Sequence, residues 1–225
     1  MIDYILPIFA VVVGCLATLW FLKSDTTNFK LILTFSGAFL LSTTVFELLP
    51  DIYTFHSPKI AGIFILFGII FQIILEFFSK GAEHGHLHTN KENTDRFPVF
   101  LFLSLFVHAF LEGFPIGHHE TIIYGVFVHK IPIAALMSTY LLQVGFSKKQ
   151  MFMSLIVFGL MTPFGTLVSN SVEIQQPTLY LVNAVVAGMF FHISTIILFE
   201  ADKGHQFNLN KLLMIVLAIS VAYFM

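Results

Sequence analysis

Apolar runs of about 20 residues, the length that crosses a hydrocarbon core, recur along this 225-residue sequence and leave no stretch long enough for a separate soluble domain. They predict eight transmembrane helices, near 4–22, 31–49, 60–79, 97–117, 121–144, 150–170, 178–199 and 209–225, each bounded by charge or turn residues. The chain therefore reads as an all-α integral membrane protein, one polytopic domain over 1–225 whose first partner is the lipid bilayer. Composition agrees: with 57% hydrophobic and 11% charged residues and a mean hydropathy of +0.88, there is too little polar surface to cover a water-soluble globule.

A net charge of −2 with basic residues scattered through short loops excludes nucleic acid as a partner. The same residues report orientation. Lys23, Lys30, Lys80, Lys91, Arg96, Lys148, Lys149, Lys203 and Lys211 follow the first, third, fifth and seventh helices, against Lys59 alone on the other face. Because positive loops are retained in the cytoplasm, both termini are expected outside it and the loop at 80–96 inside, in a cell (inner) membrane. The single cysteine, Cys15, excludes an intrachain disulfide and a multi-cysteine metal cage.

A faint internal repeat aligns Gly37-Ala38-Phe39 with Gly188-Met189-Phe190, Thr43-Thr44 with Ser194-Thr195, and Asp51 with Asp202. The copies lie in the second and seventh helices, five steps apart in helix order, so they run in opposite directions, the inverted-repeat architecture of many secondary transporters.

Ionisable side chains at bilayer depth are expensive, and the exceptions carry the information. In the fourth helix His108 and Glu112 are four apart, stacked on one face, and Pro115 follows. In the fifth, His129 precedes Pro132 at a similar spacing. Adjacent antiparallel helices can bring His108, Glu112 and His129 together as nitrogen and oxygen ligands for Zn²⁺, Fe²⁺ or Mn²⁺. A structural His–Glu hydrogen bond locking two helices is the alternative. Lys130 has several outlets: pairing with Glu112 or Glu76, snorkelling, or standing in for a second cation.

Further candidates are accessory. His192, near Ser194 and Thr195, is either a transit ligand or a polar group bonded to a neighbouring helix. Glu47 and Asp51, closing the second helix, and Glu200 and Asp202, closing the seventh, are acidic vestibules or solvated ends. His84, His86 and His88 lie within five residues of the inner loop, a tract suited to weak, reversible capture of divalent cations.

Taken together, these segments resemble the ZIP (Zrt/Irt-like) family of divalent-metal transporters over most of the chain. The stretch from His108 through Glu112-Gly113 to Gly117 is similar to the family's His-Asn-x-x-Glu/Asp-Gly-x-x-Ile-Gly, and His129-Lys130-Ile131-Pro132 to its His-Lys-x-Pro-Glu. Glu47-Leu48-Leu49-Pro50-Asp51 and Thr162-Pro163-Phe164-Gly165 also resemble family motifs. The resemblance implies eight helices arranged as three, two and three, metal held between the fourth and fifth, and alternating access delivering the ion toward the cytosol. Three positions depart from the pattern: Ala109 replaces Asn, Ile133 replaces Glu, and Thr162 stands where Glu often precedes Pro. Those groups would complete a second metal position, and Lys130 adds positive charge there, so a mononuclear site is expected.

The function expected is transport of a divalent cation, zinc first, with the metal as cargo and no catalytic cofactor. The alternative is a ZIP-like protein that binds metal but transports it poorly, as a sensor or scaffold. A metal-dependent hydrolase is disfavoured, since no His-Glu-x-x-His occurs. The sequence leaves homodimerisation open.

Overall fold

The computed structural model describes residues 1–21, 26–79, 98–199 and 209–225. The loop histidines His84, His86 and His88, and the acidic pair Glu200 and Asp202, lie outside these residues. Among the described residues there are helices and no strands: α1 (Ile2–Phe21), α2 (Thr26–Thr43), a π-helical turn (Thr44–Leu48), α3 (Leu49–Phe55), α4 (Pro58–Ser79), α5 (Val99–Ile116), α6 (Ile122–Gln143), α7 (Lys148–Ser171), α8 (Gln176–Phe199) and α9 (Leu209–Phe224). Seven spans are long and apolar enough to cross a membrane, with α2, the π turn and α3 forming one of them from Phe29 to Phe55. The eighth, α9, has 16 residues, about 24 Å at 1.5 Å per residue.

The second span runs past its expected end. Pro50, which has no N–H to donate, occupies the first turn of α3, directly after a π-helical turn. The wide π turn before it absorbs the change in register, and Asp51 consequently sits inside a helix rather than at its close.

Two large apolar cores, to which α5 and α6 both contribute, fill most of the described interior. One joins Val11 and Cys15 of α1 to Leu105 and Ala109 of α5, Ile133 and Met137 of α6, and Leu155 and Phe158 of α7. The other centres on the second span, α4 and α8, with Leu40, Ile52, Ile65, Ala187 and Phe190, while α9 docks on α2 and α8 through Ala218 and Ala222. The main pairings, α1 with α6 and α5 with α7, then α4 with α8 and α2 with α9, interchange when the first three spans are exchanged with the last three and the fourth with the fifth. That is the packing an inverted repeat requires.

Glycine makes the tightest crossings possible. A Cβ on Gly68 would strike the Val185 backbone and one on Gly188 the Ile65 carbonyl; Gly113 and Gly165 are likewise blocked by Thr162 and Phe110. Backbone thus lies against backbone where α4 meets α8 and α5 meets α7, as small residues permit in lipid.

Candidate metal centre

The α5–α7 crossing fixes the height of Glu112. Thr162 of α7 places its hydroxyl 2.6 Å from Glu112 Oε1 and 2.9 Å from the Ala109 carbonyl oxygen, sharing one hydrogen between them. Two of the departures noted in the sequence therefore meet, Thr162 donating both to the Glu112 carboxylate and to the backbone carbonyl of Ala109. His108 lies one turn earlier on the same face, its Nε2 3.4 Å from Glu112 Oε2, and both side chains are 1% exposed.

Gln72 of α4 orients that imidazole. Its Oε1 is 3.2 Å from His108 Nδ1; an amide oxygen only accepts, so Nδ1 carries the hydrogen and a neutral ring turns its Nε2 lone pair toward Glu112. Metal-binding histidines are set in this way by the partner of their other nitrogen. The 3.4 Å separation exceeds a good N–H···O hydrogen bond, roughly 2.7–3.2 Å. It equals the edge of a tetrahedron around a cation with bonds of about 2.05 Å, close to 3.35 Å.

Lys130 of α6, also 1% exposed, forms an ion pair with Glu112 Oε1, and its Nζ stands 4.4 Å from the centre of the Phe158 ring. Of the outlets open to it in the sequence, Glu112 is the one it takes. Glu76 instead bonds His192 Nε2 at 2.7 Å, joining α4 to α8. His129 is buried, with its ring centroid 6.5 Å from that of His108. Consecutive residues on a helix project about 100° apart, and Lys130 is the α6 side chain that pairs with Glu112. Among the described residues, no three His, Cys, Asp or Glu side chains converge on one point.

The ZIP Zinc transporter family model matches residues 97–225. The chain belongs to the ZIP zinc transporter family. It is accordingly a multi-pass membrane protein of a metal-transporting family, as its apolar spans require. No curated protein matches the chain.

Two polar clusters flank the ZIP core, one on either side. Toward the end of α4, Gln72 and Glu76 are a turn apart, leading from His108 to Glu76–His192. At the opposite end, in the α5–α6 hairpin, His119 is buried with Nδ1 3.4 Å from Asp51 Oδ2. Burial lowers the His119 pKa below its ordinary 6.5 against the pull of Asp51 and Glu47, and His118 is lowered by burial too. Sequence reasoning missed Gln72 and His119. A lone glutamine in an otherwise apolar span was the available signal for Gln72; nothing local marked His119, whose partners Asp51 and Tyr180 come from distant helices.

Proposed function

We propose that the protein carries Zn²⁺ or a similar divalent cation across the membrane toward the cytosol, through one core site supplied by His108, Glu112 and His129. The observation that carries this reading is the His108–Glu112 pair, fully buried at membrane depth and spaced as two ligands of a tetrahedral cation. Binding there draws Glu112 away from Lys130 and brings in His129, with water or a carbonyl as fourth ligand. Glu76 and His192 would then serve the ion in transit on the side of the 80–96 loop, which the basic residues assign to the cytoplasm with both termini outside.

Alternating access would move the helices around the site against one another. The ligands ride on α5 and α6, which contribute to both large apolar cores. The contact of His108 with Gln72 joins α5 to α4, so movement of one against the other would change the ligand environment.

A second reading, a ZIP protein that binds metal without efficient transport, is favoured by the Lys130–Glu112 pair, which sets a fixed cation on the buried carboxylate of the core. Radiozinc uptake into proteoliposomes decides between them. Transport predicts saturable uptake abolished by Glu112→Ala; a purified protein that binds zinc but moves none supports the sensor or scaffold.

A further inference from the structure

A hollow lies beside the π-helical turn, on the outer face of the molecule. Val45 and Phe46 of that turn, Ala38 of α2, Leu198 of α8, and Ile215 and Ile219 of α9 wall a cavity of about 210 Å³. Phe46 is 37% and Ile219 43% exposed, so the cavity opens toward the hydrocarbon around the helices. Ser42, also in its wall, donates its hydroxyl hydrogen to the Ala38 carbonyl at 2.7 Å, and the wall therefore offers apolar contact alone. Apolar cavities of about 150 Å³ stay dry yet take small hydrocarbons. This one is larger, and the solvent at its mouth is acyl chain.

Two lysines stand at one end of the same face. The Phe46 ring lies 5.9 Å from that of Tyr223, and the residues eight earlier on each helix, Ala38 and Ile215, share the cavity, so α2 and α9 run in the same direction. Continuing backwards reaches Lys30, eight residues before Ala38, and Lys211, four before Ile215. At 1.5 Å per residue these lie about 12 Å and 6 Å along the helix axes from the cavity. Lys30 is exposed. Neither α2 nor α9 carries an Asp or Glu, so this end of the helix pair is positive.

We propose that the α2–α9 face binds one anionic phospholipid, with its phosphate at Lys30 and Lys211 and an acyl chain in the cavity beside the π turn. The lysine stems lie along apolar surface and carry their ammonium groups up to headgroup level. The end they occupy is the one the basic residues assign to the cytoplasm, whose leaflet holds the anionic lipids. A zwitterionic lipid offers the same chain, but its own ammonium offsets its phosphate, so the lysines select for net headgroup charge. The chain, packed on Val45 and Phe46, covers the open side of the π turn and steadies it. This binding belongs to the lipid-facing surface and stands whether or not the protein moves metal.

The test places the purified full chain in phosphatidylcholine nanodiscs with a trace of phosphatidylglycerol or phosphatidylcholine bearing a photoreactive diazirine in the acyl chain, and maps adducts by peptide mass spectrometry. Adducts of the glycerol lipid are expected on residues 38–46 and 215–219, which wall the cavity. They should exceed those of the choline lipid about five- to thirtyfold, the worth of one to two lysines at a membrane surface. Lys30→Gln with Lys211→Gln should remove that preference, while Lys30→Arg with Lys211→Arg keeps it. Ile219→Trp fills the cavity from its open side and should remove the adducts at 38–46; Leu217→Trp, 50% exposed and outside the cavity, should leave them. Melting temperatures in detergent establish that each variant is folded. Equal labelling by the two lipids, a preference that survives loss of both lysines, or adducts no denser here than on the exposed face of α4 would overturn the proposal. A second copy of the chain seated on this face would exclude both lipids, and the resulting lack of adducts overturns it as well.

Discussion

Replacing Lys130 by methionine separates what this side chain does for the metal-free fold from what it does to the cargo. Methionine fills the lysine stem beside Phe158 and removes the charge. Lys130 and Glu112 are each 1% exposed and paired, and deleting one partner of a buried pair costs about 3–5 kcal/mol because the other charge remains in the interior. The Thr162 hydroxyl and the His108 ring compensate only part of that. Metal-free Lys130→Met should therefore unfold at a lower temperature in detergent than the unaltered chain. The same exposed deficit favours a cation. In the unaltered chain a divalent ion must draw Glu112 from the ammonium and then sit beside it; in the variant neither step is needed. If half of the 3–5 kcal/mol is recovered on binding, the Kd for Zn²⁺ falls about ten- to seventyfold, at 1.4 kcal/mol per decade. Titration against a chromogenic chelator measures the affinity, and thermal melts with and without zinc measure the compensation, which should be larger in the variant. Unchanged stability together with unchanged affinity would refute the reasoning, and weaker zinc binding would show that the lysine assists the metal rather than competing with it.

Three further outcomes follow from the same geometry. Ile133→Glu adds a carboxylate one turn from His129 and should raise bound core metal from one ion to two per chain, counted by metal analysis with the loop histidines changed to Ala; a count that stays at one removes the mononuclear explanation. With Cys15 replaced, single cysteines at Asn93 and Thr178 should label from opposite faces, the first cytosolic and the second external, and labelling from one side sinks the orientation. His119 has a folded pKa held below its unfolded value of 6.5 by burial, so the unfolded chain takes up the proton first. Its contribution to stability is present above about pH 6.5 and is lost as pH falls through that value toward the folded pKa; His119→Gln should flatten the fall in melting temperature over this window.

Much of the fold was legible because lipid imposes a single rule, that each span be apolar and about 20 residues long. The seven long spans begin and end within a few residues of their expected bounds, except that the second, expected to close at 49, runs on to Phe55. The extension passes through a π turn, which is not a property of composition. In the candidate site, contacts within one helix were legible: His108 and Glu112 meet because four residues make about one turn. Contacts between helices were legible only as alternatives, as with Lys130, for which Glu112 was one of several outlets. The oxygen of Gln72 reaches His108 and the carboxylate of Asp51 faces His119 only because α4 and α3 take particular rotations about their axes, and those are set by glycine crossings such as Gly68 against Val185.

Lys130 shows how a sequence difference and a geometric one are the same fact. On α5 the residue four after His108 is Glu112, so imidazole and carboxylate lie 3.4 Å apart on one face. On α6 the residue four after His129 is Ile133, 1% exposed and packed in the apolar core with Leu105 and Met137. The face of α6 that carries His129 thus offers a single ligand, and the next residue, about 100° round the helix, brings a fixed positive charge to Glu112. A core with one carboxylate and one ammonium has no net charge to offset a second divalent ion, whose repulsion from the first is strong at low dielectric. On the transport reading proposed above, this arrangement would hold one ion at a time, with Lys130 moved off the carboxylate.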